Sequence, residues 1–193
     1  MNIGIVGATG MVGSVFLDLL KERNFPVTTL RPFGSENSLG KEITYNQKAW
    51  PLEVLKEGCF KGLDLVFFSS GDEISLEWGP KAASEGALVV DNSAAFRMDP
   101  NTPLVVPEIN IDQIPKTDRP GVIANPNCST IQLVVALNPL LKEFGLQRVH
   151  VASYQSVSGG GKEAQQELLN QLEKTLKEEP AVENKCFPHN ISK

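Results

Sequence analysis

The sequence predicts an α/β fold in which helices cover both faces of a parallel sheet. The chain begins with the apolar run NIGIVGA, and a glycine turn and the helical pattern MVGSVFLDLLKER follow it directly. Three later runs, LDLVFFSS, ALVVDNS and GVIANP, are continuously apolar and end in small or polar residues. Strands that are apolar throughout are typical of parallel sheets that are buried on both faces.

The other predicted elements of this domain fit between these runs, as a doubly wound sheet requires. FPVTTL is predicted as the second strand, RPFGSENSLGK as a polar loop after it, and SLEWGPKAASEG as a later helix. The apolar residues at helical spacing in the first helix are Val12, Val15, Phe16 and Leu19. The proline-rich stretch from Asp99 onward is predicted to be a long connection that packs against the same domain.

A second domain is predicted to begin after this sheet. STIQLVVALNPLLKEFG is predicted as a helix, RVHVASYQSVS as a strand and KEAQQELLNQLEKTLKEE as a polar helix that faces solvent. The last stretch, PAVENKCFPHNISK, closes no further element. We therefore predict one domain over residues 1–126 and the beginning of a second, incomplete one over residues 127–193.

Composition excludes several classes of partner. The net charge is -5, and no cluster of Lys and Arg marks a site for nucleic acid or an anionic membrane. No apolar run reaches the roughly 18 residues of a membrane span, and the N-terminus lacks a signal-peptide pattern, so we expect a cytoplasmic protein. The three cysteines follow no zinc-binding pattern, so we expect free thiols and no metal site.

The first strand and helix are joined by the pattern G-x-x-G-x-x-G, formed by Gly7, Gly10 and Gly13. Glycines here let the backbone N–H groups approach a pyrophosphate at the positive end of a helix, which predicts a dinucleotide site. The alternative is a glycine turn that only packs closely. An NAD site places an acid about 20 residues on, where this chain has Arg31 and Ser35, so NADP is favoured. As the alternative, Arg31 is an ordinary solvated arginine.

Cys128 stands in the stretch ANPNCSTIQ, behind an Asn-Pro-Asn turn and ahead of a predicted helix. A thiol in the first turn of a helix lies near unpaired N–H groups, which favour the thiolate that a covalent catalyst needs. The alternative is a small hydrophobic residue that packs at a helix start, as we predict for Cys59 and Cys186.

Several motifs, in order along nearly the whole chain, resemble those of the aspartate-semialdehyde dehydrogenases. They are GATGMVG, FFSSG, DNSAAFRMD, PLVVPEIN, NPNCSTIQ and YQSVSGGGK. The resemblance implies a Rossmann-like domain followed by an α+β catalytic and dimerisation domain, NADP as cofactor, and a homodimer. It also implies the reversible, NADPH-dependent reduction of L-4-aspartyl phosphate to L-aspartate 4-semialdehyde and phosphate through a cysteine thioester, on the route to lysine, threonine and methionine.

The resemblance implies a role for individual residues. Cys128 falls on the nucleophile, Asn127 on the asparagine beside it, Gln155 on the glutamine that positions the substrate, and Arg97 on the arginine that binds phosphate. The residues that fall on the cofactor contacts, together with those of the glycine turn and Arg31, are Gly7, Thr9, Gly10, Met11, Val12, Gly13, Ser35, Ser38, Ser70, Gly71 and Asn92.

The chain departs from the family pattern at two places. Asn37 stands where the family often has an arginine in the loop that faces the adenine side of the cofactor. The family's acid/base histidine and the arginine that binds the substrate carboxylate fall beyond residue 193, and neither His150 nor His189 matches that histidine. The chain is therefore expected to correspond to the N-terminal portion of such an enzyme.

Three other interpretations stay open. The related N-acetyl-glutamyl-phosphate reductases use the same fold and chemistry, although NPNCST and SAAFRMD fit the aspartate enzymes better. A catalytically silent module that binds a dinucleotide or forms a dimer is consistent with the missing histidine. A cysteine hydrolase would need His150 or His189 beside Cys128 and would leave the glycine turn without a role.

Overall fold

The structure is a computed structural model that describes residues 1–114, 121–180 and 184–192. Its contacts divide the chain into two compact units, Met1–Val149 and His150–Lys193. The helix that begins at Cys128 belongs to the first unit by this division. The domain boundary between residues 126 and 127 stays a prediction.

A parallel sheet forms the centre of the first unit. The strands of the described residues are β1 (Asn2–Val6), β2 (Thr29–Gly34), β3 (Glu42–Tyr45), β4 (Lys48–Pro51), β5 (Glu53–Val54), β6 (Leu65–Phe68), β7 (Leu88–Asp91) and β8 (Val122–Ala124). Six of them form one sheet in the order β5-β2-β1-β6-β7-β8, in which all neighbours are parallel. The chain leaves β1 toward β2 and later returns to β6 on its other side. A crevice therefore opens at the carboxyl ends of β1 and β6.

Helices complete the predicted α/β architecture. They are α1 (Met11–Glu22), α2 (Asp72–Ser84), the single turn α3 (Pro107–Asn110), α4 (Cys128–Phe144) and, in the second unit, α5 (Gly161–Leu176). The first joins β1 to β2 and the second joins β6 to β7, as the sequence predicts. No helix in the described part of the chain is long and apolar enough to cross a membrane.

Two apolar clusters bury the two faces of the sheet. On one face, Phe33, Phe60 and Phe68 pack with residues of α2, and the rings of Phe33 and Phe60 meet edge to face at 5.3 Å. On the other face, Ile3 and Ile5 pack with residues of α1 and of the β3–β4 hairpin. Burying a side chain of this size stabilises the fold by roughly 1.5–3 kcal/mol. The continuous apolar runs of the strands are thus explained by a sheet without a solvent-facing side.

The region after the second strand corrects the sequence prediction. RPFG, predicted as loop, is the second half of β2, and Pro32 pairs there with Ile5 of β1. The β3–β4 hairpin and the short strand β5 were not predicted at all. Asn46 and Gln47 both have positive φ at the hairpin turn, which is the conformation that joins two strands through a tight two-residue loop.

The first helix buries a different face from the predicted one. Gly13, Leu17 and Leu20 are buried, whereas Val12, Val15 and Leu19 are exposed. Phe16 is the predicted residue that does pack inward, since its ring stacks on Phe67 at 4.1 Å. A glycine, which hydrophobicity patterns ignore, faces the sheet here because α1 lies too close to β1 for a side chain.

The second unit also differs from its prediction. RVHVASYQSVS forms no strand, and Tyr154 within it is fully exposed. A strand needs a neighbour for its backbone hydrogen bonds, and no described residue pairs with this segment. The helix α5 does form, but its polar residues Glu167 and Gln171 are buried rather than facing solvent.

These two polar side chains hold the final segment of the chain onto α5. The carboxylate of Glu167 accepts hydrogen bonds from the backbone N–H groups of Lys185 at 2.9 Å and Cys186 at 2.6 Å. The amide oxygen of Gln171 accepts one from Ile191 N at 2.9 Å. The N–H of Cys186, and with it that of Lys185, holds the pKa of Glu167 below its ordinary value.

The attachment of this segment is therefore expected to weaken in acid. Because the folded-state pKa of Glu167 is depressed, its contribution is present above the unfolded pKa and is lost as pH falls through the folded pKa. Amide hydrogen exchange between neutral and acidic pH should show falling protection factors at Lys185 and Cys186. The amide of Ile191, bonded to the non-titrating Gln171, is the internal control, and an equal loss at all three would contradict the assignment to Glu167.

Candidate cofactor and thiol site

A pocket of about 320 Å³ lies at the carboxyl ends of β1 and β6. The residues that line it are Val6, Gly7, Thr9, Gly10, Phe33, Gly34, Ser35, Leu55, Ser69, Ser70 and Ile74. Five of them were predicted as cofactor contacts from the sequence: Gly7, Thr9, Gly10, Ser35 and Ser70. The pocket occupies the crevice where open α/β sheets bind their ligands.

The glycine turn shapes one wall of this pocket. Gly7 has φ of +85°, a conformation that side chains rarely adopt, and the N–H of Gly10 donates to its carbonyl oxygen at 2.9 Å. A Cβ atom on Gly13 would overlap that same oxygen. Helix α1 therefore begins as close to β1 as its backbone allows, with its N-terminus at the pocket.

The opposite wall contains a polar group without a partner. The hydroxyl of Ser70 is buried and makes no hydrogen bond within the described part of the chain. Gly71, the next residue, has φ of +98° and caps α2 without a side chain. An orphaned hydroxyl and two helix starts that no side chain caps fit a ligand rich in phosphate and hydroxyl groups. The residues present are thus suited to a dinucleotide.

Arg31 is placed differently from its prediction. It lies inside β2, where its Nε and Nη2 donate to the carboxylate of Glu53 and its Nη1 donates to the carbonyl of Cys59. The hydrogen bonds to Glu53 raise its pKa, so it stays charged within this pair. A guanidinium engaged on both edges is not available to a phosphate unless the pair opens.

The other predicted contacts of this wall divide into two groups. Ser35 is exposed and lines the pocket, whereas Ser38 is buried in the short 3₁₀ turn Glu36–Ser38. Met11 and Val12 form the first turn of α1, outside the set that lines the pocket. Their roles stay predictions.

A second set of polar residues joins the carboxyl ends of β7 and β8. Asn125 donates from Nδ2 to Oδ1 of Asn92 at 2.7 Å. Arg97 donates from Nε to the carbonyl of Asn125 and from Nη2 to that of Asn92, both at 3.0 Å. No carboxylate of the described residues pairs with Arg97, and its Nη1 makes no hydrogen bond with them. Its charge is therefore oriented by the backbone and left available to an anion.

Beneath this set lies a buried carboxyl group that the sequence did not single out. Asp91 is fully buried at the end of β7, and it accepts hydrogen bonds from the hydroxyls of Ser75 and Ser93, each at 2.6 Å. Its backbone carbonyl accepts from Asn125 N at 2.7 Å. Asp91 thus connects α2, the turn that carries Arg97, and the end of β8.

Cys128 is the first residue of α4 and is exposed. Asn127 caps this helix, because its Oδ1 accepts a hydrogen bond from Ser129 N at 2.9 Å. The predicted position of the thiol in the first helical turn is therefore confirmed. Cys59 is buried as predicted, but Cys186 is exposed.

Gln155 lies in the second unit, in the irregular stretch before the 3₁₀ turn Val157–Gly160. It is exposed, and its amide packs so closely on Gly159 that a Cβ there would overlap it. The prediction that it acts together with Cys128 stays a prediction. Sequence reasoning missed Ser69 and Asn125, although both lie within motifs that it used, FFSSG and NPNCSTIQ.

Two family models match different parts of the chain. A family model described as "Semialdehyde dehydrogenase, NAD binding domain" matches residues 2–117, and one described as "Semialdehyde dehydrogenase, dimerisation domain" matches residues 137–193. The chain belongs to the semialdehyde dehydrogenase family. Its pocket at β1 and β6 lies within the NAD-binding match, and a nicotinamide dinucleotide is the cofactor that this match indicates.

Curated relatives of this semialdehyde dehydrogenase chain are named aspartate-semialdehyde dehydrogenase. The protein from Aquifex aeolicus is 48% identical over 192 residues, which are 99% of this chain and 56% of the relative. That from Legionella pneumophila is 46% identical over 192 residues, 100% of this chain and 55% of the relative. The chain thus spans about half the length of the curated relatives that it matches.

Solved structures of the family share the fold. Aspartate semialdehyde dehydrogenase II from Vibrio cholerae, described as complexed with ASA, superposes with a TM-score of 0.92 at 43% identity, over 99% of this chain and 56% of that one. The enzyme from Candida albicans, described as a structure with NADP, has a TM-score of 0.62 at 26% identity, over 75% of this chain and 48% of that one. The Rossmann-like fold predicted from the sequence is confirmed.

The ion pair of Arg31 leads to a prediction about stability. Arg31→Met should lower the free energy of unfolding by about 1–2 kcal/mol, since a forked pair that is a quarter to a third exposed is partly screened by solvent. The same substitution should leave the affinity for NADP within about threefold, because the fork is held by Glu53. Urea unfolding and a nucleotide titration measure the two effects. A tenfold loss of NADP affinity with unchanged stability would restore Arg31 as a phosphate ligand.

Proposed function

We propose that this chain carries the cofactor pocket and the nucleophile of an NADP-dependent aspartate-semialdehyde dehydrogenase. The reaction is the reversible conversion of L-aspartate 4-semialdehyde, phosphate and NADP⁺ to L-4-aspartyl phosphate and NADPH. One observation carries the proposal. The glycine-turn pocket, the oriented charge of Arg97 and the stretch that leads into Cys128 all follow strands at the same carboxyl edge of one sheet.

Cys128 is proposed as the nucleophile. Its thiolate attacks the acyl carbon of aspartyl phosphate, the bond from that carbon to the phosphate oxygen breaks, and a thioester forms on the cysteine. The N-terminus of α4, which Asn127 caps at Ser129 N, favours negative charge at this position. A thioester is a better hydride acceptor than an oxygen ester, which accounts for a cysteine here rather than a serine.

Arg97 is proposed to receive the phosphate that leaves. Its guanidinium is fixed by the carbonyls of Asn92 and Asn125, and no described carboxylate competes for it. A fork held in this way matches a phosphate with two hydrogen bonds at little further loss of freedom.

The pocket between β1 and β6 is proposed to hold NADP. A reduced nicotinamide bound there would supply hydride to the thioester on Cys128, and the thiohemiacetal on that cysteine would release the free aldehyde and leave the thiolate. Gly7, Gly10 and Gly13 let α1 begin close against β1, so that its N-terminus would lie beside the pyrophosphate, and the hydroxyl of Ser70 would gain a partner. Ser35 lies on the side where a 2′-phosphate would sit.

The second unit is proposed to supply Gln155 for substrate positioning and to take part in a homodimer. The match of residues 137–193 to a dimerisation domain supports the dimer. The proposed pathway, synthesis of lysine, threonine and methionine, follows from the names of the relatives. The chain spans about half of those relatives, so turnover by these 193 residues is itself part of the proposal.

The experiment measures phosphate-dependent reduction of NADP by the 193-residue protein with aspartate semialdehyde, together with a direct titration of NADP. We expect Cys128→Ser to lower turnover by at least about 10³-fold, the scale seen when a nucleophile is removed, and to leave NADP binding unchanged. Cys186→Ser, which changes the other exposed thiol, is the matched control and should keep full turnover.

The other outcomes separate the alternatives. NADP binding without turnover would indicate a dinucleotide-binding module rather than an active enzyme. Gly13→Ala should abolish that binding, because its Cβ overlaps the carbonyl of Gly7. Absence of both binding and turnover would contradict the proposal, and hydrolysis of an ester that depends on Cys128 and on either histidine would support a cysteine hydrolase.

A further inference from the structure

The loop after β2 begins with an acid, which is unfavourable for a site that binds a 2′-phosphate. The strand ends at Gly34, Ser35 lines the pocket, and the next residue is the exposed acid Glu36. It is followed by Asn37, which is neutral and also exposed. The two residues that follow Ser35 in the chain are therefore an acid and a neutral amide, and neither is a cation.

Arg31, the arginine of β2, does not offer the positive charge that the loop lacks. Arg31 lies mid-strand, paired with Gly4 of β1, and its guanidinium is held by Glu53 and by the carbonyl of Cys59. Glu53 begins β5, which is hydrogen-bonded to β2, so the pair is built into the sheet. The next cation along the chain is Lys41, an exposed residue that follows the 3₁₀ turn.

Glu36 stands where NAD-binding folds place their acid. It follows the second strand of the βαβ unit, roughly 20 residues beyond the glycine turn, and an acid at that place accepts hydrogen bonds from the adenosine ribose hydroxyls. The same carboxylate repels a 2′-phosphate, which carries close to two negative charges at neutral pH. The sequence placed this position at Arg31 and Ser35 because it ended the strand too early.

We infer that this chain binds NAD as well as NADP, with Glu36 as the residue that lowers its preference for the phosphorylated cofactor. The inference rests on the proposed function, since it concerns the same pocket. It differs from that proposal in its consequence: the phosphate of the cofactor contributes little to binding, and the ribose hydroxyls contribute in its place.

The test is a titration of the 193-residue protein with NAD and NADP in parallel. The two dissociation constants should lie within about tenfold of each other, the size of one weak, solvent-screened charge contact. Glu36→Gln should strengthen NADP binding and weaken NAD binding, so that their ratio moves about fivefold or more toward NADP. Raising the salt concentration should reduce this change, because the repulsion is exposed and screened.

A matched control separates this effect from general damage. Glu22→Gln changes another exposed glutamate, at the C-terminal end of α1 and away from the pocket, and should leave both dissociation constants unchanged. Circular dichroism and thermal unfolding should be the same for both variants and the parent chain. A loss of fold would lower both affinities together, whereas the inferred effect moves them in opposite directions.

Four results would overturn the inference. One result is NADP binding at least a hundredfold tighter than NAD binding, and another is an unchanged ratio of the two dissociation constants in Glu36→Gln. Either would show that Glu36 does not lower the preference for the 2′-phosphate. A tenfold or greater loss of NADP affinity in Lys41→Met, without a loss of NAD affinity, would identify that lysine as the group that binds the 2′-phosphate. The first three leave the proposed function standing, whereas absence of binding by either nucleotide would overturn both.

Discussion

A close approach between the start of α1 and the end of β1 is the constraint on which the rest of the site depends. A Cβ on Gly13 would overlap the carbonyl oxygen of Gly7, so only a glycine lets the helix begin there. That position puts the helix N-terminus at the crevice between β1 and β6 and leaves its N–H groups turned toward a ligand. It also explains why the buried face of α1 is not its most apolar one, since contact distance and not hydrophobicity decides which side faces the sheet.

The parallel sheet could be predicted because its strands carry their information locally. A run such as LDLVFFSS is apolar throughout because both faces of β6 are covered, and the glycine turn marks the first strand–helix junction. The β3–β4 hairpin could not be predicted in the same way, because its turn uses Asn46 and Gln47 at positive φ in place of the usual glycine. RVHVASYQSVS has a strand-like pattern, but a pattern supplies no hydrogen-bonding neighbour.

The candidate site, like the fold, could be predicted only where it depends on residues close together in the chain. Spacing and the neighbouring strand and helix patterns were enough to place Cys128 in the first turn of a helix and Gly7 and Gly10 at the pocket, because both depend on residues close together in the chain. The partner of Arg31, which the sequence predicts as a cofactor ligand, is a glutamate on another strand, and no local pattern reveals that pairing. The polar face of α5 is inward for a similar reason, because the backbone that it binds comes later in the chain.

Asp91 shows what a polar contact provides that an apolar one does not. A buried carboxyl group costs free energy unless it is hydrogen-bonded, and the carboxyl group of Asp91 accepts hydrogen bonds from two hydroxyls. Hydrogen bonds to Ser75 and Ser93 are directional, whereas apolar surfaces can slide past one another at small cost. The helix beside the cofactor pocket and the turn that holds Arg97 are thus kept at one mutual angle. One side chain thereby fixes the alignment of the α2 side of the pocket with the turn that carries Arg97.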